Sequence, residues 1–365
     1  MKQFLAGGAI AALCAGMAHA GGVERSPQSV SILFEEGTYA EFSFSAINPS
    51  VSGTQGGLGS GNMLKSYETY SLGYKQALSD NLDLALVLDQ PIGADVDYSN
   101  GPGYRLEGTT AELRNNALTA FLRYKFPANV SLIGGIRVMR TSGDVSIDDD
   151  LVQAFYPGYV YSLSTSTETD VGYVLGIAWE KPEIAARIAL TYNSSITQTF
   201  QATESHPAGV SVTGNFETTI PESINLEFQT GVAADTLLFG SIRWVNWTDF
   251  KIEPDVYGVI YAGTALVDYE DDRITYNLGL GRKFNDTWSG AVLVSHEDST
   301  GSITGNLGPT DGYTSAGLAV TYTKGRMKLT GGLRYIDIGG ATTTIGGDFD
   351  GNHGWGAGVR VGISF

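Results

Sequence analysis

Seven cations stand at alternating positions of apolar-patterned stretches and fall on the small or polar side of each: Lys75, Arg123, Arg137, Arg187, Arg273, Arg334 and Arg360. In a stretch of period two this side faces away from the apolar surface. A carboxylate taken into a low-dielectric interior needs such a partner, and the planar guanidinium grips it through two parallel hydrogen bonds. Glu41, Asp83, Asp89 and Glu227 lie on the same side, so pairing among the ionisable residues competes with ligand binding. Arg334 and Arg360, on adjacent stretches, are the first candidates for a headgroup ligand, with Arg273 and Arg137 behind them.

Two further sets carry apolar rather than ionic chemistry. Residues 151–163 and 257–266 lie in long connections yet hold Phe155, Tyr156, Tyr159 and Val160 in one and Ile260 and Tyr261 in the other. Apolar clusters on loops mark binding surfaces, although two loops could also pack on one another merely as a cap. The third feature is Pro91-Ile92-Gly93, which follows the regular Leu82, Leu84, Leu86, Leu88 alternation. Proline has no N–H to give to a neighbouring strand and glycine weakens a strand locally. Either the strand kinks there and the wall opens, or it ends at Gln90 and Pro91 starts a loop.

Catalysis finds little support. His206, His296 and His353 are the histidines beyond the amino-terminal segment, no serine sits in a Gly-x-Ser-x-Gly setting, and no His-Glu-x-x-His motif occurs. Asp148-Asp149-Asp150 could hold calcium, but acids in a row on a loop are ordinarily solvated. No cofactor is implied. A net charge of −17 argues against nucleic acid as a partner.

The elements that must position these residues are strands. From Trp355 to Phe365 the alternate residues are Trp355, Ala357, Val359, Val361, Ile363 and Phe365, interleaved with Gly354, Gly356, Gly358, Arg360, Gly362 and Ser364. Similar alternation recurs along the chain, and counting these segments gives about fourteen strands. Short turns (79–81, 127–129, 181–183, 233–235, 285–287, 324–326) alternate with long connections (49–65, 94–112, 144–168, 196–220, 251–270, 298–311, 339–352). No run beyond the amino terminus is apolar enough over about 18 residues to cross a membrane as a helix. The chain therefore reads as an all-β protein, an antiparallel transmembrane β-barrel whose closed wall satisfies every backbone group in lipid. Mean hydropathy near zero fits strands with one lipid face and one inner face.

The amino terminus reads as a secretory signal peptide over residues 1–20, apolar from Phe4 to Met17 and ending Ala18-His19-Ala20. The single cysteine, Cys14, lies inside it, so the mature chain holds no disulfide. Residues 21–37 form a short segment before the barrel of residues 38–365.

Several stretches resemble the FadL family of outer-membrane transporters for long-chain fatty acids and other hydrophobic compounds. They are Pro221-Glu222-Ser223-Ile224, Trp244-Val245-Asn246-Trp247-Thr248-Asp249-Phe250, Asp272-Arg273-Ile274-Thr275-Tyr276-Asn277-Leu278-Gly279-Leu280, Asp89-Gln90-Pro91-Ile92-Gly93-Ala94 and the final aromatic residue. The resemblance implies a monomeric barrel in the lipid of a Gram-negative outer membrane, passing a long-chain fatty acid or another hydrophobic molecule by loop capture and diffusion through a hatch or a kinked third strand. It implies a role for the two apolar loops in capture and for Pro91, Ile92 and Gly93 in a lateral opening. The chain departs from the family in its short amino-terminal segment, with Arg25 to Phe34 available as a reduced hatch. A lumen left open would instead suit a porin for small polar solutes, and the acidic loops a surface-interaction or adhesion barrel.

Overall fold

The computed structural model describes residues 22–365, so the expected signal peptide at 1–20 lies outside the described residues. Fourteen antiparallel strands form the wall. They are β1 (Tyr39–Ser50), β2 (Tyr67–Ser79), β3 (Leu82–Asp89), β4 (Thr110–Lys125), β5 (Val130–Ile147), β6 (Glu168–Lys181), β7 (Ala186–Asn193), β8 (Ser223–Ala233), β9 (Thr236–Val245), β10 (Arg273–Lys283), β11 (Trp288–Glu297), β12 (Tyr313–Lys324), β13 (Met327–Ile338) and β14 (Asn352–Ser364). The final strand pairs with the first from Tyr39↔Ser364 to Ser50↔His353, which closes the barrel and leaves no edge. The last residue joins in, Phe365 N–H donating to the Thr38 carbonyl at 2.9 Å.

The period-two pattern fixes which face is which. Trp355, Val359, Leu318, Leu333, Leu278 and Ile188 are exposed on the outside, whereas Arg360, Arg334, Ser315 and Thr191 are buried on the inside. A one-residue slip would put every arginine in lipid, so the register is strongly held.

Four short strands continue wall strands beyond an irregularity: Ala94–Asp97 continues β3, Tyr161–Thr165 precedes β6, Ile196–His206 continues β7 and Val210–Ile220 leads into β8. The last two correct the expected long connection at 196–220, which is a hairpin extending the wall, paired from Ile196↔Ile220 to His206↔Val210. Its inner face is Phe200, Ala202 and Glu204 and its outer face Thr197, Thr199, Gln201 and Thr203. Strand alternation is present, but the outward face is polar, so a search for apolar outer faces passes over it. The connections at 144–168 and 251–270 carry short helices at Asp150–Phe155 and Asp255–Ile260.

Residues 22–37 run up the inside of the barrel. Val30, Ile32, Leu33 and Phe34 are buried against inward residues of the wall, including Tyr39, Ala85, Phe121, Ile133, Val174, Ala178 and Ala189. Polar contacts fix the rest: Glu24 to Arg243, Ser26 to Asp89, Ser29 to Glu227, and the Pro27 carbonyl to the Asn225 amide.

Candidate functional site

The wall is interrupted at Gln90–Gly93. The ladder of β3 with β4 runs from Leu82↔Tyr124 to Asp89↔Ala117 and resumes at Ala94↔Leu113. Asp89 to Ala94 is five positions and Ala117 to Leu113 is four, so β3 carries one extra residue and bulges. On the other edge the β2–β3 ladder ends at Leu72↔Leu88, and the next contact is the isolated bridge Leu64↔Val96. Between these points β2 has no ladder with β3. Proline explains part of the break, because Pro91 offers no N–H.

The amino-terminal segment takes up the freed groups. Arg25 N–H and Ser26 N–H donate to the Pro91 carbonyl at 2.7 and 3.3 Å, and Gly93 N–H donates to the Val23 carbonyl at 2.8 Å. Ile92 points inward and is 3% exposed. A Cβ on Gly93 would lie 2.6 Å from the Arg25 guanidinium, so glycine makes room for the Arg25–Asp95 ion pair at 2.5 Å. Outside the break, the Tyr70 hydroxyl on β2 reaches past β3 to Asn116 Oδ1 on β4 at 2.9 Å.

Behind the break lies an apolar cavity enclosing about 940 Å³ of empty space, part of it open to solvent. Val23, Ala94, Val96 and Leu113 line it on the β3 side, Phe200, Phe216 and Ile220 on the hairpin side, and Phe250, Ile252, Leu266, Val267 and Leu307 complete it. Its charged lining residues are Glu112 and Asp268. A side chamber of about 490 Å³ shares Val23, Ala94, Val96, Tyr269 and Leu307 and reaches Leu64, Lys65 and Tyr67, beside the gap between β2 and β3.

The two apolar loops meet each other over this cavity. Tyr161 and Tyr257 pack edge to face with ring centroids 5.4 Å apart. Buried Glu204 links the loops, accepting from the Tyr161 hydroxyl at 2.8 Å and from Val256 and Tyr257 N–H at 3.2 and 3.0 Å. Burial, with Asp149 adding to it, pushes the Tyr257 phenol up to about 12, so it stays uncharged at neutral pH. Tyr159 donates to the Ser205 carbonyl at 2.7 Å, and Ile260 and Tyr261 pack on the buried cluster that contains Tyr161. Phe155, Tyr156 and Val160 stay exposed, Phe155 by 74%. None of these six residues lines the cavity; of residues 151–163 and 257–266 only Leu163 and Leu266 do. Asp149 is engaged by Arg105 through two hydrogen bonds at 2.9 and 3.0 Å.

Each candidate arginine has a protein partner. Arg273 pairs with Asp311 at 2.8 Å. Arg334 donates to Ser315, and Arg360 donates to Ser43 with Glu41 3.8 Å away. Arg137 donates to Thr119 and to the Gln28 side chain of the inner segment. Arg334 lies opposite Gly356, four positions along β14 from Arg360, a separation of roughly 13 Å at strand rise. Each guanidinium is held by its own serine, Ser315 for Arg334 and Ser43 for Arg360. None of the four arginines lines the cavity.

Several inward cations hold the inner segment instead. Arg123 donates to the Leu33 carbonyl at 3.1 Å, and the Phe34 ring lies between the Arg123 and Arg187 guanidiniums at 4.2 and 4.3 Å. Arg243, which the irregular sequence of β9 concealed, binds Glu24, Ser223 and Asn225. The cavity residues Phe200, Phe216 and Leu307 were equally hidden, since each is an isolated hydrophobe in a polar stretch, without a local signal.

Comparison with known proteins follows the same geometry. Residues 48–297 match the family model described as outer membrane protein transport protein (OMPP1/FadL/TodX). Among solved structures, a Pseudomonas aeruginosa FadL homologue matches with TM-score 0.73 at 16% identity, covering 96% of this chain and 97% of that one. The Pseudomonas putida toluene transporter TodX matches with TM-score 0.66 at 12% identity, covering 97% and 98%. The Ralstonia pickettii toluene transporter TbuX matches with TM-score 0.66 at 13% identity over the same shares. No curated protein matches in sequence. The family match spans more than half of the chain, so the chain belongs to the OMPP1/FadL/TodX family of outer-membrane transport proteins.

Proposed function

We propose that this outer-membrane barrel passes uncharged hydrophobic small molecules by passive diffusion: the loops capture them, the apolar cavity holds them, and they leave sideways through the interruption of β3. The observation that carries the reading is the apolar cavity and, adjoining it through the shared Val23, Ala94, Val96, Tyr269 and Leu307, the side chamber that lies beside the place where β2 and β3 part. Phe155, Tyr156 and Val160, exposed on the loop rim with Val259, are the capture surface. An apolar solute gains about 25 cal/mol for each Å² it buries, a gain available from loop to cavity to membrane without a pump. Residues 22–37 close the lumen to water, which disfavours the porin reading. A single chain completes the wall, and the protein acts as a monomer in outer-membrane lipid.

The choice between neutral molecule and fatty-acid anion rests on charge. The cavity's ionisable lining is acidic and the inward arginines are engaged elsewhere, so a carboxylate would enter without a partner, at a cost of several kcal/mol. A long-chain fatty acid remains the second reading, favoured by Lys65 in the side chamber, whose ion pair with Asp97 is 3.0 Å and solvent-accessible. Uptake of radiolabelled toluene and of oleate by a transport-deficient strain carrying this chain tests both. Toluene uptake with little oleate uptake is expected; oleate uptake alone, lost in Lys65→Gln, would install the second reading, and uptake of neither would defeat both.

A further inference from the structure

The barrel wall is also unstitched at a second place. The ladder of β6 with β7 runs from Lys181↔Ala186 to Val174↔Asn193 and resumes only at Thr165↔Ala202, between the continuing strands. Over 167–172 on one side and 195–200 on the other, the two strands form no ladder. A serine ties each end. Ser194 N–H donates to the Tyr173 carbonyl at 2.9 Å while its hydroxyl accepts from Tyr173 N–H at 2.9 Å. At the other end Ser166 N–H donates to the Gln201 carbonyl at 2.8 Å and its hydroxyl accepts from Gln201 N–H at 2.9 Å.

The cause is a mismatch of phase. On β7 the inward set is Thr191 and Asn193, then Ile196, Gln198 and Phe200, so alternation slips at Ser194-Ser195. On β6 the inward residues Gly172 and Val174 keep their phase down to Glu168, and the slip comes at Ser166-Thr167. Between the two slips, facing positions point to opposite faces, and a ladder requires partners on the same face.

We propose that this seam is a second lateral portal for the hydrophobic solute, a reading that rests on the function proposed above. Phe200 on one lip lines the apolar cavity, as do Thr165, in the ladder just past the end of the other lip, and Thr141 on β5. The seam is shut by side chains rather than by the backbone. Ile196 lies against Gly172, where a Cβ would come within 2.7 Å of Ile196 Cγ1. Gln198 stands beside it, 0% exposed, with its Oε1 and the cross-strand Thr218 Oγ1 both lacking hydrogen-bond partners among the described residues. Its Nε2 makes only long contacts, 3.5 Å to the Met139 carbonyl and 3.4 Å to Asp170 Oδ2. Rotation of such loosely held side chains opens the seam with no ladder bond broken. On the outer side Val171 and Tyr173, 63% and 50% exposed, form the apolar end of the seam, and Thr169, Thr197 and Thr199 its polar end.

Gly172→Cys with Ile196→Cys places two thiols within disulfide reach across the seam, in a chain whose described residues contain no other cysteine. In cells whose β3 carries Pro91→Val, which gives the strand back an N–H beside β2, the portal reading expects toluene uptake to be lost when this pair is oxidised and to return on reduction, at matched surface expression. Uptake unaffected by oxidation would overturn it. A second readout needs no transport: in reconstituted lipid, Gln198→Cys should react with a membrane-confined maleimide while Ala189→Cys, buried in the intact β7 ladder, should not. If the unmodified protein takes up neither toluene nor oleate, the function proposed above fails, and this labelling alone decides the portal. Equal inertness of both positions would overturn it.

Discussion

Phe34 is the point at which closure of the lumen can be loosened in a measured way. Its ring is 5% exposed inside the barrel and lies between two guanidiniums, 4.2 Å from Arg123 and 4.3 Å from Arg187. Truncating a buried phenylalanine costs about 3–5 kcal/mol, and each lost cation–π contact adds about 0.5–1 kcal/mol at most in a partly wet site. The other ties of residues 22–37 remain, namely Arg25 to Asp95, Glu24 to Arg243 and Asn225 to the Pro27 carbonyl. Phe34→Ala should therefore displace the inner end of the segment without expelling it. At about 1.4 kcal/mol per decade, this total of about 4–7 kcal/mol raises the displaced population about 10³- to 10⁵-fold. Planar-bilayer recordings report this directly, as brief conducting events at a frequency raised by that factor. Phe34→Leu keeps most of the volume but loses both ring contacts, about 1–2 kcal/mol together, and should raise the frequency only about 5- to 30-fold. Equal, quiet recordings from wild type and Phe34→Ala would refute the argument that this segment gates the lumen.

The loop junction and the acidic turn above β12 give two further tests. Glu204→Ala strands three buried donors, each costing about 1–3 kcal/mol, so the 255–266 segment should become cleavable by external protease on intact cells; unchanged resistance would show that Glu204 does not tie the loops. Asp311 is pushed up by burial, but donation from the Ser299 hydroxyl, Gly301 and Thr300 N–H and the Arg273 guanidinium outweighs this and holds its carboxyl below the usual value of 3.8. A depressed folded value means that the clamp's stabilisation is complete above the unfolded pKa and lost as pH falls through the lower folded one. A spin label at exposed Ile303 should therefore stay ordered at pH 5 and mobilise only below 3.8, whereas Asp311→Asn should mobilise it at neutral pH; mobilisation already at pH 5 would contradict the assignment.

How much of this was legible in the sequence depends on the range of the signal. Outer strand faces announce themselves locally, because Leu82, Leu84, Leu86 and Leu88, or Trp355, Val359 and Ile363, repeat every second residue, and the short turns between strands keep the count. Pro91-Ile92-Gly93 is also local, and it marks where the β3 ladder breaks. The interior is different. An inward arginine looks the same in sequence whether it binds a ligand, the role first considered for Arg334, or a backbone carbonyl, as Arg123 does at Leu33; only the path of residues 22–37 distinguishes the two. The cavity draws Val23, Leu113, Phe200, Phe250 and Leu307 from five distant stretches, so no window contains it. The seam between β6 and β7 depends on the relative phase of two strands, which a strand-by-strand reading leaves out.

The central claim is that a hydrophobic solute leaves through the wall rather than along the lumen. Pro91→Val gives β3 back an N–H at the gap toward β2, where the β2–β3 register is the same at Leu72↔Leu88 and at Leu64↔Val96, so the ladder can close across it. Initial rates of toluene uptake should then be compared between wild-type β3 and Pro91→Val in the same transport-deficient strain, at equal surface expression. In both, the seam between β6 and β7 is held shut by the oxidised disulfide of the Gly172→Cys, Ile196→Cys double variant. Loss of uptake in Pro91→Val, with wild-type β3 still transporting, is the result expected. Equal uptake through both walls would place the exit elsewhere and contradict the claim.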